Sequence, residues 1–167
     1  MPDSAVTGQL EPLFRRHDKN PILTAADWPY PVHTVFNPGV ARLSDGSTLL
    51  LCRVEDYTGI SHLCAARSPN GVDGWIIDAA SALRPDPENH PEEFWGIEDP
   101  RITFVQELGK FVVAFTAYSK SGPGVALATT QDFRSYGDSG SSCSLTTKTR
   151  LCCQDALAGI LRSFTAR

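Results

Sequence analysis

Two acidic clusters hold the residue types that move protons: Arg53-Val54-Glu55-Asp56 and Glu98-Asp99-Pro100-Arg101. Each sets two adjacent carboxylates beside an arginine at what reads as a strand end. A carboxylate packed against the apolar Trp95 and Ile97 has its charged form disfavoured, so its pKa rises and it can serve as a general acid. Asp99 equally fits a turn-capping residue before Pro100 that pairs with Arg101. Spacing alone leaves both readings open.

The surrounding residues suit a sugar. Trp28, Tyr57, Trp95 and Tyr118 offer flat apolar faces for pyranose rings, while Asn37, Arg53, Glu55 and Asp56 offer the dense hydrogen bonding that hydroxyl groups need. Trp28 and Trp75 also fit an ordinary core, the preferred reading for Trp75.

Other chemistries find little support. His17, His33, His62 and His90 have no metal-ligand spacing with each other or with cysteines, so no metal is expected. Cys152 and Cys153 are adjacent, which suits neither a C-x-x-C redox pair nor a zinc knuckle. No nucleophile elbow, P-loop or dinucleotide fingerprint follows a strand. A net charge of -4 speaks against nucleic acid or an anionic membrane as partner. No apolar run reaches the roughly 18 residues of a membrane span, and the N-terminus shows no apolar signal region. Five cysteines without such a signal fit reduced thiols and a cytoplasmic protein.

The elements that must position the clusters read as strands. Short apolar runs, Val40–Leu43, Thr48–Val54, His62–Arg67, Trp75–Asp78, Arg101–Gln106, Lys110–Tyr118 and Gly124–Thr129, alternate with Gly, Asn, Asp and Pro clusters that close hairpins. The class is all-β: sandwich, barrel or propeller. An internal repeat narrows it. The stretch beginning Asn37-Pro38-Gly39 recurs about 62 residues on at Asp99-Pro100-Arg101, with the same order of opener, strand, turn, long apolar strand and small-residue strand. Trp75 and Phe133 stand at similar places after the two copies. A repeated antiparallel sheet is the signature of propeller blades, and at roughly 40–45 residues each the chain has room for about three.

With these residues in view, the sequence resembles glycoside hydrolase family 130, the β-mannoside phosphorylases. The matching stretches are His17-Asp18-Lys19-Asn20-Pro21-Ile22-Leu23, Phe36-Asn37-Pro38-Gly39-Val40, Arg53-Val54-Glu55-Asp56, Gly96-Ile97-Glu98-Asp99-Pro100-Arg101 and Thr116-Ala117-Tyr118-Ser119, together covering about residues 15–138. The resemblance implies a partial five-bladed β-propeller, with two to three blades in residues 1–138. It implies phosphorolysis of β-1,4-mannosides: inorganic phosphate attacks the anomeric carbon with inversion and releases α-mannose 1-phosphate. Asp99 is then the acid that protonates the glycosidic oxygen, and phosphate replaces the water of an inverting hydrolase, so no cofactor and no second base are required. Asn37, Arg53, Glu55 and Asp56 match positions that shape the mannosyl pocket, Glu98, Arg101 and Tyr118 complete the substrate-binding set, and Arg101 also holds the loop after the acid. The family's phosphate-binding basic residues lie in later blades. A hydrolase of the same fold and a non-catalytic sugar-binding fragment remain the alternatives, and exposed blade faces invite self-association.

Composition changes near residue 138. Residues 1–138 hold 11 basic and 18 acidic residues, whereas residues 139–167 hold 4 and 1 and three of the five cysteines. Beyond Ser139 the resemblance stops, and a natural tail with a short helix near 154–164 competes with a loss of reading frame. One set of codons for Ser141 to Ala156 encodes V-M-L-P-D-D-K-D-A-A-L-L-P-R-R when read one base earlier, and D-K-D-A is the continuation the family expects. The expectation is a frameshifted tail over 139–167. Sequencing the coding DNA checks it: a neighbouring frame that reads D-K-D-A is the expected result, and codons unable to yield it exclude a frameshift.

Overall fold

The computed structural model describes residues 13–138 and 143–144. The tail over 139–167, expected to be frameshifted, and the short helix of the competing natural-tail reading therefore lie outside the described residues, apart from the backbone of Cys143 and Ser144. The fold is all-β, with two antiparallel sheets. Strands β1 (Thr34–Arg42), β2 (Thr48–Glu55), β3 (Ser61–Ser68) and β4 (Ile76–Leu83) form the first, in the order β1-β2-β3-β4. Strands β5 (Ile97–Val105), β6 (Lys110–Ser119), β7 (Gly122–Thr130) and β8 (Gly137–Asp138) form the second in sequence order, and β9 (Cys143–Ser144) also pairs with β7. Each sheet is a meander whose strands follow one another in the chain, and β5 of the second runs against β1, β2 and β3 of the first. These are two stacked blades of a β-propeller.

Alternation decides which way each side chain faces. On β2, Leu49 and Leu51 point to the second sheet, and on β3 Leu63 and Ala65 do the same. They meet Val113, Phe115 and Ala117 of β6, Ala126 and Ala128 of β7, and Ile97 and Phe133, all buried. The same parity carries Arg53 and Ser61 toward the second sheet at the end of this core. The opposite face of the first sheet presents Cys52, Val54 and Cys64, which pack under Trp28 and Val32 of the preceding segment. Burial pushes the Cys52 thiol up to about 12 and raises Cys64 too, so both stay protonated at neutral pH.

Three expectations are corrected. Strands β1 and β5 begin at Thr34 and Ile97, well before the expected Val40 and Arg101. Pro38 and Pro100 read as strand openers but occupy bulges within the strands, where a proline costs no ladder hydrogen bond. Trp28 is a core residue and not a sugar platform, because its ring is 6% exposed and covers the first sheet. Trp75, the expected core tryptophan, is only half-buried, its indole N–H donating to the Val72 carbonyl. Its counterpart after the second copy, Phe133, is fully buried against Phe111.

The segment over the first sheet is latched by a hydrogen-bond chain. Trp28 Nε1 donates to the Tyr30 hydroxyl at 3.1 Å, and that hydroxyl lies 2.7 Å from His62 Nε2. Burial, aided by the charge of Arg84, lowers the His62 pKa to about 4. Between about pH 6.5 and pH 4 the unfolded chain therefore binds a proton that the folded chain refuses, and stability falls as pH falls through that window. Denaturant unfolding at pH 7 and pH 4.5 should show this loss, and His62→Gln should flatten it.

Candidate active site

The two copies of the repeat meet at their first residues. Asn37 and Asp99 both adopt left-handed backbone, with φ of 45° and 50°. Asparagine and aspartate tolerate that region better than other side-chain-bearing residues, at a cost of about 1 kcal/mol. Each precedes a proline and sits in a register shift, between Phe36 and Gly39 on β1 and between Glu98 and Arg101 on β5. The bulges turn both side chains toward one another, and Asn37 Nδ2 donates to Asp99 Oδ1 at 3.0 Å across the two sheets. Register carries the repeat further: its offset is 62 residues in the first strand of each sheet and 63 in the second, because one turn lengthens by a residue and the next hairpin shortens to match.

Arg53 joins the carboxylates. Its Nη1 donates to Asp99 Oδ1 at 3.3 Å, while Nη2 lies 2.9 Å from Glu98 Oε1 and 3.4 Å from Glu55 Oε2. The guanidinium carbon stands 4.4 Å from the centre of the Phe36 ring. His33 Nδ1 approaches the other oxygen of Glu55 at 3.3 Å, and Tyr57, largely exposed, leans on the His33 ring. One cation thus serves three carboxylates, and the excess of negative charge remains at the open end of the site.

This arrangement corrects the expected acidity. Burial raises the pKa of Asp99, but hydrogen bonds from Asn37 and Arg53, with the charges of Arg53 and Arg101, outweigh it and leave the carboxyl below its ordinary value. The raised carboxyl is its neighbour: Glu98 goes up through burial, against Arg53 and with the help of Asp99 and Glu55. At neutral pH Asp99 is therefore an anion.

The remaining predicted residues divide. Arg101 turns back on its own segment, Nη1 donating to the Pro100 carbonyl at 3.0 Å and the Asp99 carbonyl at 3.4 Å, as a loop-holding residue would. Asp56 does not join the cluster; its Oδ1 accepts from Thr58 N, Thr58 Oγ1 and Ile60 N and shapes the β2–β3 loop. Tyr118 packs against Trp95 at a tilt, ring centres 5.4 Å apart and planes 58° apart, both part-exposed, and the two residues are tied by a backbone bond from Trp95 N to the Tyr118 carbonyl. They form an aromatic ledge between the end of β6 and the segment leading into β5.

Sequence reasoning gave no site role of their own to Phe36, His33 and Gly96, and missed Ser61. Gly96 permits the closest approach: its φ is 109°, and a Cβ there would lie 2.8 Å from Ser61 N and 2.9 Å from Ser61 O. Gly39 is similar, its missing Cβ 2.9 Å from the Pro100 carbonyl. A glycine where one strand crosses another was the available signal. Gly96→Ala should cost about 2 kcal/mol or more by denaturant unfolding, whereas Gly59→Ala, strained in φ but facing open space, should cost about 1 kcal/mol.

Comparison with known proteins follows the same lines. Residues 13–157 match the family model Glyco_hydro_130, described as beta-1,4-mannooligosaccharide phosphorylase. No curated protein gives a significant match. Among solved structures, a beta-1,2-mannobiose phosphorylase from Listeria innocua is similar at 24% identity and a TM-score of 0.66, over 79% of this chain and 52% of its own. A glycosyl hydrolase from Bacteroides ovatus is similar at 23% identity and TM-score 0.66, over 82% of this chain and 43% of its own. A structure described under GH130 mannoside phosphorylases and hydrolases that target beta-1,2 mannosidic linkages in Candida mannan gives the same identity and coverage. The chain spans about half the length, or less, of these structures, which share its fold.

Proposed function

The chain belongs to the glycoside hydrolase 130 family, and from that premise we propose that its two blades carry the sugar-binding and proton-donating part of a β-1,4-mannoside phosphorylase. The observation that carries the reading is the pair of left-handed residues, Asn37 and Asp99, bonded across the blades beside Arg53. Asp99 is the acid. A sugar seated on Asn37, Glu55 and Asp99 displaces water, and burial is already the strongest influence on Asp99. Further desolvation pushes the carboxyl up toward the proton it must hold before the bond breaks. Asp99 then gives that proton to the glycosidic oxygen, while inorganic phosphate attacks the anomeric carbon from the opposite face and yields α-mannose 1-phosphate. Trp95 and Tyr118 give an apolar face to a pyranose ring.

Phosphate is the co-substrate in this reading, but neither nearby arginine is assigned to it. Arg53 is committed to three carboxylates, and Arg101 donates to its own backbone. The 167-residue chain is therefore expected to bind sugar without measurable turnover. Calorimetric titration with β-1,4-mannobiose should show weak binding, on the order of millimolar, absent with cellobiose and lost in Asp99→Ala. Incubation with mannobiose and phosphate should release no mannose 1-phosphate. Equal binding of both disaccharides overturns the mannoside assignment, phosphate-dependent release overturns the expectation of an incomplete machine, and phosphate-independent cleavage favours a hydrolase.

A further inference from the structure

Ser61 lies directly beneath the carboxylate cluster. It begins β3, is fully buried, and its hydroxyl accepts a hydrogen bond from Arg53 Nε at 2.9 Å. Its position is fixed twice over: Ser61 pairs with Glu55 across β2 and β3, and its backbone bridges to Gly96 at the foot of β5. The absent side chain of Gly96 lets the two blades close to this distance.

The geometry of arginine makes that contact consequential. A guanidinium is planar, with its five N–H groups in a fixed fork, so fixing Nε orients both Nη groups together. Phe36 covers one face of the plane, and Ser61 fixes its rotation within that plane. With the plane so held, Nη1 faces Asp99 and Nη2 faces Glu98 and Glu55. Release of Nε would let the head swing toward the glutamates, both closer to full burial than Asp99, whose side chain is 36% exposed against 23% for Glu98 and 21% for Glu55.

We propose that Ser61 is a positioning residue for the proton donor: through Arg53 Nε it fixes how one cation is divided among Asp99, Glu98 and Glu55, and so when Asp99 takes up and releases its proton. The role in proton delivery rests on the phosphorylase reading, but the electrostatic role does not. Ser61 touches no substrate; it acts through Arg53. The lowered pKa of Asp99 and the raised pKa of Glu98 agree with the division seen.

The test uses the whole chain and carboxyl-carbon NMR. In the wild-type protein the Arg53 Nε–H should exchange with solvent about tenfold more slowly than that of Arg15, whose side chain is 89% exposed. Ser61→Ala should abolish that protection and raise the Asp99 titration midpoint by about half a pH unit or more, with melting still cooperative. Arg53→Lys, which keeps the charge but has no Nε–H, should raise it likewise, and Ser61→Ala should add nothing in that background. Wild-type exchange as fast as that of Arg15, an unmoved Asp99 midpoint in Ser61→Ala, or additive shifts would each overturn the proposal. The exchange measurement stands even where Ser61→Ala does not fold. Failure of mannobiose to bind a protein that shows these shifts would remove the phosphorylase reading and leave the Ser61 assignment in place.

Discussion

The constraint on which this structure depends is that two strands must deliver polar residues to one point while the sheets behind them share an apolar core. Asn37 and Asp99 solve it by leaving the strand geometry for a single left-handed residue each, then returning to it. The bulges aim the side chains across the gap between blades, where they bond to one another. Behind them, Leu49, Leu51 and Leu63 pack on Val113, Phe115 and Ala117 with almost no exposure. Local strain at the two bulges, about 1 kcal/mol each, is small beside that burial. Strained backbone is thus held in place by the core packed behind it.

Charge follows from the same geometry. Parity along β2 sends Arg53 to the face that carries Leu49 and Leu51, so it arrives at the end of the core where β5 brings Glu98 and Asp99. Three carboxylates around one guanidinium cannot all be satisfied equally. The two hydrogen bonds that reach Asp99 hold its proton off, and burial among carboxylates leaves Glu98 readier to keep one. The cluster is an acceptor-rich surface with a single fixed cation at its base. In the proposed function, a sugar would displace water around Asp99, the change a proton donor at this position needs.

Much of this was legible in the sequence, and the failures are instructive. The repeat identified two like sheets, and the pairing of Asn37 with Asp99 is that repeat made physical. Both acidic clusters came from composition and spacing. Strand starts were misplaced because proline and asparagine are turn signals wherever they stand, and only tertiary packing distinguishes a bulge from a loop. Trp28 and Trp75 were misplaced for a related reason: a tryptophan carries no local mark of which sheet face it will cover. The acidity of Asp99 was misjudged because Trp95 and Ile97 are near in sequence, whereas Asn37 and Arg53, which outweigh burial, come from 62 and 46 residues away. Ser61 was invisible, since a serine at a strand start has no feature of its own until the arginine beside it is placed.

The central claim is that Asn37 and Asp99 couple the two blades, and a double-mutant cycle on unfolding free energy addresses it most directly. Asn37→Ala, Asp99→Ala and the combined variant should give a coupling of about 1 kcal/mol, since the bond joins a neutral donor to a part-exposed carboxylate. Strict additivity, within about 0.3 kcal/mol, would mean that the bond between Asn37 and Asp99 is incidental and that other contacts hold the blades together.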